Sequence, residues 1–362
     1  MSQKKSLIHI IPSNKWGGIQ SYALDICRHY HLQGWDVTAM TRNAVGVDAH
    51  FTEHGIRLIH APLTGFFNIA SALILAKELK RTRENKTVVH VHRYRDAFTV
   101  LMAMKIARRE DIKIVATRHA VRRGQNTILF RKLYSRIKSH IFVSDLAYEE
   151  FRGKNERIVL PPDSVYILRN SINIPPDPLI PEPMHGPITA LYQGAIVKGK
   201  GIETLIDSLS QLKKMKIRLR VCGTGDPDYL DLLRRRAMSR GVMEAIDWNI
   251  KSAPSVGQVA EAHFGVIPST DREACGMSNI MMMAAGRAQV TTSNGAQSEY
   301  LEDEVSALLV APADASALAD AIRRLATNQE LRNRLATNAN ALYNRLLSWP
   351  HFITTLDKIY SK

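Results

Sequence analysis

The run Pro268-Ser269-Thr270-Asp271-Arg272-Glu273-Ala274-Cys275-Gly276-Met277-Ser278-Asn279-Ile280 falls between a strand-like apolar stretch and a helix rich in Met and Ala. A carboxylate placed there, Glu273, can accept hydrogen bonds from hydroxyl groups. The N–H groups that open the next helix, from Gly276 through Met277, Ser278 and Asn279, can hold a phosphate or a hydroxyl. Gly199-Lys200-Gly201 also precedes a helical pattern. A lysine there can neutralise a diphosphate, or it can be an ordinary solvated lysine. Ser13-Asn14-Lys15-Trp16-Gly17-Gly18 follows the first apolar run. The pair Gly17 and Gly18 can let backbone amides approach an anion, or can be a plain turn. Gly223 ends a further strand-like run with a glycine turn, Gly223-Thr224-Gly225. Asp226-Pro227-Asp228 just after it has the D-x-D form of some metal sites, but a proline-bearing helix start explains it better. His90 and His92 share a strand face and could in principle chelate a metal, and His119 ends another strand-like run, where a satisfied strand-end histidine is the plain alternative.

These residues need elements to carry them. Short β-branched runs alternate with longer amphipathic ones: Leu7–Ile11, 36–40, 57–59, 87–91, 112–116 and 139–143 as strands, with helices such as 69–82 and 98–109 between them. This order predicts a parallel sheet covered on both faces. Eight prolines between Pro161 and Pro187 break the pattern, which cannot hold a long helix and marks a domain edge. The alternation restarts at 188–192 and continues to 307–310, and helices over 314–326, 329–346 and 349–361 close the chain. The expected fold class is α/β with two Rossmann-like domains facing a central cleft. The expected boundaries are 1–170, a proline-rich linker at 171–187, 188–346, and a last helix at 347–362 returning to the first domain. Ligands of open α/β sheets sit at the carboxyl ends of the strands, where all the loops named above fall.

The chain has 362 residues, enough for two cores, and no run of about 18 apolar residues that would span a bilayer. Its three cysteines form no disulfide or zinc pattern, so a reducing cytoplasm is the expected compartment. The formal charge is +15, and between Arg81 and His140 sixteen Lys or Arg face four Asp or Glu. This excess points to an anionic partner, although a solvated basic face would also account for it. Nucleic acid is not the expected partner, because the cations are not interleaved with a platform of stacking aromatics. The run 128–138 reads as an amphipathic helix, suited to an anionic membrane surface or equally to core packing. Arg122, Arg123, Arg131, Lys132 and Arg136 would then meet the membrane or the acceptor.

Taken in order, several motifs resemble the retaining glycosyltransferases of the GT-B fold, family 4 (glycosyl transferases group 1). They are Gly17-Gly18, Val91-His92, Thr117-Arg118-His119, Val143-Ser144, Asn170, Lys200-Gly201, Gly223-Thr224-Gly225, and Pro268-Ser269 with Glu273 and Gly276. Ala284-Ala285-Gly286, Asn294-Gly295 with Glu299, Ser348-Trp349 and Tyr360 complete the set. The resemblance covers essentially the whole chain. It implies a nucleotide-sugar donor, with Lys200 on the diphosphate and Glu273 on hydroxyls of the transferred sugar. Amides from Gly276 to Asn279 would hold that sugar or its phosphate, His119 would face it, and Gly17 and Gly18 would close on the diphosphate. It further implies a hexose-type sugar passed with retention to a glycan or lipid-linked acceptor, as in polysaccharide or lipopolysaccharide synthesis. No metal and no cofactor are expected, since Lys200 and the helix N-termini meet the leaving charge. The expected localisation is cytoplasmic, on the inner face of the membrane if peripheral.

Two positions depart from the family pattern. Met281 stands where a second glutamate would clasp the ribose, and Ala195 follows Gly194 where an arginine would partner the lysine. Each lost hydrogen bond to a charged group is worth about 1.5–3 kcal/mol. Lys198 is near enough in sequence to compensate in part, and Asn279 could reach the ribose. These departures keep open a donor-site-degenerate partner subunit. A nucleotide-sugar 2-epimerase is the other alternative, but it needs an acid/base set that cannot be assembled from these residues.

Overall fold

The computed structural model describes residues 4–153, 158–173, 187–250 and 254–362. The chain divides into two compact units, one of Met1–Arg169 with Thr354–Lys362 and one of Asn170–Ile353. Most of the expected linker, residues 174–186, lies outside the described residues.

In the first unit the strands are β1 (Lys5–Ile11), β2 (Asp36–Thr41), β3 (Arg57–His60), β4 (Lys86–Val91), β5 (Lys113–Arg118), β6 (Ser139–Phe142) and β7 (Val165–Ile167). They form one seven-stranded parallel sheet in the order β3-β2-β1-β4-β5-β6-β7. The helices are α1 (Gly18–Leu32), α2 (Val45–Glu53), α3 (Ile69–Arg81), α4 (Asp96–Ala107), α5 (Ile128–Tyr134) and α6 (Asp145–Arg152). Strands buried on both faces read as continuous apolar runs, as in β1, where Leu7, Ile8, Ile10 and Ile11 are all fully buried. Polar caps set the helix starts: the side chains of Asn68, Thr127 and Ser144 accept from the third residue onward in α3, α5 and α6.

The helix expected over 128–138 is shorter than its periodicity suggests. It ends at Tyr134, and the next amides turn back in a tighter pattern, Arg136 N to Leu133 O and Ile137 N to Tyr134 O. Phe130, Leu133, Tyr134 and Ile137 enter the core, which takes the chain out of helix and into β6. Two turns remain, so the long amphipathic helix does not form. The exposed residues of this stretch are Ile128, Leu129, Arg131, Lys132, Ser135, Arg136 and Lys138.

The second unit contains β8 (Ile188–Gln193), β9 (Ile217–Gly223), β10 (Ile246–Ile250), β11 (Phe264–Ile267), β12 (Ala288–Thr292) and β13 (Leu308–Val310). These form a six-stranded parallel sheet ordered β10-β9-β8-β11-β12-β13. Around it lie α7 (Ile202–Ser210), α8 (Pro227–Ser239), α9 (Val256–Ala260), α10 (Met277–Ala284), α11 (Ala315–Thr327) and α12 (Gln329–Leu342). A π-turn over Tyr343–Leu347 separates α12 from α13 (Trp349–Ser361). The last residues of α13 belong to the first unit, where Asp357 accepts from Tyr30 Oη at 2.8 Å and Tyr360 Oη meets His90 Nδ1 at 2.7 Å.

Each sheet reverses its strand order once, between β1 and β4 in the first unit and between β8 and β11 in the second. Beyond the carboxyl ends of such strand pairs the crossovers diverge and leave a crevice.

Candidate active site

In the second unit the crevice is built by loops pressed against one another. Gly201 has φ +71°, and a Cβ there would lie 1.8 Å from the carbonyl oxygen of Pro268. Glycine alone lets the loop before α7 touch the loop after β11. The contact is then bonded, since Thr270 N and Asp271 N both donate to Gly199 O at 2.9 Å. From the other side Asn294 Nδ2 donates to Thr270 O at 2.8 Å and Ala296 N to Glu273 O at 2.9 Å.

This frame fixes Glu273. Its Oε1 takes Lys200 Nζ at 2.5 Å and Ser269 Oγ at 2.6 Å. Its Oε2 has no partner among the described residues, so one oxygen orients the carboxylate and the other is available to a hydroxyl. Lys200 and Glu273 are both partly exposed, at 32% and 17% of their side-chain surface, so each is reachable from solvent. The N-cap of α10 is Gly276, with φ +70°, and the first bond inside the helix runs from Ile280 N to Gly276 O. The amides of Met277, Ser278 and Asn279 precede it. Ser278 Oγ donates to Gln193 O at 2.7 Å and ties this helix start to the end of β8.

Asn279 sits differently from its sequence reading, while Asp226 caps a helix as its plainer reading has it. Asn279 is fully buried and its Nδ2 donates to Gln289 Oε1 at 2.9 Å, so its side chain cannot reach toward a ribose. Gly223 has φ +154°, and a Cβ there would stand 1.8 Å from Gly194 O, so its glycine is already required to bring the ends of β8 and β9 together. Asp226 caps α8 through Asp228 N and Tyr229 N, which uses the first carboxylate of the D-x-D run. Met281 is half-buried, with Gln193 Nε2 3.1 Å from its sulfur. Lys198 and Ala195 are exposed.

The crevice of the first unit holds a row of imidazoles that sequence reading found only in part. His9, from the middle of β1, lies beside His90 in register. His9 Nδ1 is 3.0 Å from His92 Nε2, and His92 Nδ1 is 3.1 Å from His119 Nε2. Burial lowers the pKa of His9 to about 3. Burial and the neighbouring Arg118 guanidinium bring His119 to about 3 as well. Burial, reinforced by the other rings, holds His92 and His90 well below the ordinary range. All are therefore neutral near pH 7, with one N–H each.

His9 Nε2 is buried and meets no partner among the described residues. An orphaned buried acceptor is better tolerated than an orphaned N–H, which directs the chain of protons outward. His9 donates to His92, His92 donates to His119, and the Nδ1–H of His119 remains to donate. His90 is engaged separately, with Tyr360 Oη and with Thr117 Oγ1, both at 2.7 Å. His9 was missed because an apolar strand with one polar residue reads as core. Ser269 was quoted only within a motif, since nothing in a sequence shows that its hydroxyl reaches a carboxylate four residues on.

Gly17 is the N-cap of α1 in an extended conformation, and a Cβ on Gly18 would meet nothing within 4 Å. A Cβ on Gly17 would stand 3.3 Å from Gln20 Oε1, the end of a flexible side chain that can yield, so neither glycine is strictly demanded by the unit's own packing. A cavity of about 540 Å³ opens beside His119, lined also by His92, Tyr94, Phe130 and five arginines.

Two parallel α/β sheets, each with its polar loops gathered at a strand-order reversal, define the GT-B class of fold. The second half matches the profile of the glycosyl transferases group 1 over residues 180–342, and the first half that of glycosyltransferase family 4 over residues 16–174. The chain belongs to this glycosyltransferase family. It is 26% identical to the phosphatidyl-myo-inositol mannosyltransferase of Mycobacterium leprae, over 95% of this chain and 92% of that one. It is 22% identical to the O-antigen chain mannosyltransferase C of Escherichia coli, over 82% and 81%. Among solved structures it is similar to a glycosyltransferase from Rickettsia africae, with a TM-score of 0.83, 17% identity and coverage of 99% and 98%. It is also similar to Anabaena HepE, solved with UDP-glucose, with a TM-score of 0.80, 16% identity and coverage of 98% and 99%.

Proposed function

We propose that this glycosyltransferase takes a hexose-type sugar from a nucleotide-sugar donor and passes it, with retention of anomeric configuration, to a glycan or lipid-linked acceptor in polysaccharide or lipopolysaccharide synthesis. The observation that carries the reading is the fixed Glu273 carboxylate beside Lys200 at the mouth of the second sheet. A donor arriving there exchanges one ion pair for two better-matched contacts, its diphosphate with Lys200 and a sugar hydroxyl with Glu273. The amides of Met277 to Asn279 add donors at a helix N-terminus. Relatives acting on lipid-borne and polysaccharide acceptors support the acceptor class.

In the proposed step the acceptor hydroxyl attacks the anomeric carbon on the face from which the diphosphate leaves. The carbon–oxygen bond to the diphosphate breaks, and the acceptor proton passes to the leaving phosphate oxygen. Lys200 and the amides hold the departing charge, so the step needs no metal. The neutral His119 donates its Nδ1–H to the transferred sugar. Gly17 and Gly18 leave room for backbone amides to approach the phosphates.

The test is Glu273→Ala. Its carboxylate lies at the surface of the crevice and outside the core, so folding should survive, while transfer or donor hydrolysis falls by about 100-fold or more. Most of kcat/KM retained would refute the assignment. The anomeric configuration of the product, read by NMR, tests retention. Met281 and Ala195 favour one second reading, a partner subunit with a degenerate donor site. Chelator-insensitive turnover of any nucleotide sugar would exclude it.

A further inference from the structure

We infer that the cavity beside His119 is a binding site for a phosphate ester carried by the acceptor. The inference rests on the proposed transfer for its meaning but on separate residues for its test. The cavity is formed by the first unit alone, and at about 540 Å³ it is of a size that takes small ligands. Arg93, Arg95, Arg118, Arg122 and Arg123 line it, and no Asp or Glu does.

The five are not equally compensated. Arg93 is neutralised by Asp96, with both bonds at 2.9 Å. Arg123 lies 4.0 Å from Glu150. Arg95, Arg118 and Arg122 form no ion pair among the described residues. Arg95 and Arg118 are half-buried, and the Nε of each is buried without a hydrogen-bond partner. A guanidinium stays charged under these conditions, and withdrawing it from water without a counter-charge is costly.

Arg118 is nonetheless held in place. Its Nη2 donates to Arg122 O at 2.8 Å, and its guanidinium lies 5.7 Å from the centre of the Phe151 ring. Solvated surface cations are mobile and need no such support. A fixed Arg118 with Arg95 and Arg122 around one concave site, no acid lining it, matches an anion with several acceptor oxygens. The aromatic walls, Phe66, Phe130 and Tyr134, suit the sugar or lipid that bears it. His119 lies on the same wall.

The experiment is calorimetric titration of the full chain with inorganic phosphate, repeated on Lys200→Ala, on Arg118→Lys and on the double variant Arg95→Gln/Arg122→Gln. Lys200→Ala removes the phosphate-binding lysine of the donor site and so isolates this one. The inference expects saturable binding that Lys200→Ala leaves unchanged and the double variant weakens at least tenfold. Should Arg118→Lys misfold, the double variant decides alone, because Arg95 and Arg122 support no other side chain. Glucose 6-phosphate and dihexanoyl phosphatidic acid should both compete with phosphate, and the tighter of the two identifies a glycan-borne or a lipid-borne phosphate. No saturable binding, or binding lost in Lys200→Ala and intact in the arginine variants, would overturn the site. Donor hydrolysis measured on the same samples reports on the transferase reading separately: arginine-dependent phosphate binding upholds the site whichever way that assay falls.

Discussion

At the scale of single residues, the imidazole row gives His119 a defined protonation state. With a pKa of about 3 it has no ionisation near neutrality, so in the proposed transfer it would act as a neutral donor. The profile of kcat/KM against pH should therefore show no limb near pH 6.5 that disappears in His119→Gln. A limb there, abolished by that substitution, would show that the imidazole works by titrating. Met281 offers a second check. Glutamate at this position would accept from Gln193 Nε2 as the sulfur does now, and its other oxygen would face the proposed ribose. Met281→Glu should tighten nucleoside diphosphates about tenfold in calorimetry; unchanged or weaker binding would place the ribose elsewhere. The loops that carry Lys200 and Glu273 were legible in the sequence because glycines and strand ends mark them. The row from His9 to His119 was not, because its members come from three separate segments that only the strand order β1-β4-β5 brings together.

At the scale of elements, the donor crevice depends on backbone contacts that tolerate no side chain. Gly201→Ala combines a left-handed φ with a Cβ 1.8 Å from Pro268 O. The loop must move, and Lys200 and Glu273 move with it. The expected cost is about 3 kcal/mol or more, read as a lower urea midpoint, together with weakened donor binding. An unchanged midpoint would mean that the two loops are not pressed together. The alternation of runs identified nearly every strand and helix, since buried parallel strands and amphipathic helices leave distinct periods. It failed at 128–138, where apolar residues at helical spacing continue past the helix end. Ile137 is buried from a turn, and a period cannot tell a helical face from a turn that lands on the same core. The short α2, α6 and α9 and the edge strand β7 were missed as well; α9 is five residues long and is set by a Ser255–Gln258 capping box more than by periodicity.

At the scale of the whole molecule, two properties follow from where the histidines and the cations lie. His9, His90, His92, His119 and His140 all have lowered pKa values, the last about 4, chiefly through burial. Below about pH 6.5 the unfolded chain binds protons that the folded chain excludes, so stability falls as pH drops through this range. Asp25, raised to about 6, and Asp96, also raised, both by burial, act in the opposite sense. The urea midpoint should therefore decline steadily from neutral pH toward pH 4–5, and a constant or rising midpoint would contradict the buried neutral row. Second, Phe67, Ile69, Ile128 and Leu129 are exposed, at 57%, 66%, 85% and 46%, on the same unit as Arg122, Arg123, Arg131, Lys132 and Arg136. Among the described residues no helix is long and apolar enough to cross a membrane. Cosedimentation with anionic vesicles at low salt, lost at high salt, is expected, with about 1 kcal/mol for each cation near the surface. Equal sedimentation with neutral vesicles would count against it.

The central claim is that the second unit takes a nucleotide sugar through Lys200 and Glu273. Its most direct test is release of nucleoside diphosphate from a panel of UDP-, GDP-, ADP- and dTDP-sugars by the full chain, compared with Lys200→Ala and Glu273→Ala. The account predicts that at least one donor is consumed by the wild type, that Lys200→Ala weakens its binding, and that Glu273→Ala slows its turnover about 100-fold or more with the fold intact. Turnover that survives both substitutions, or a panel in which no donor is bound at all, would contradict it.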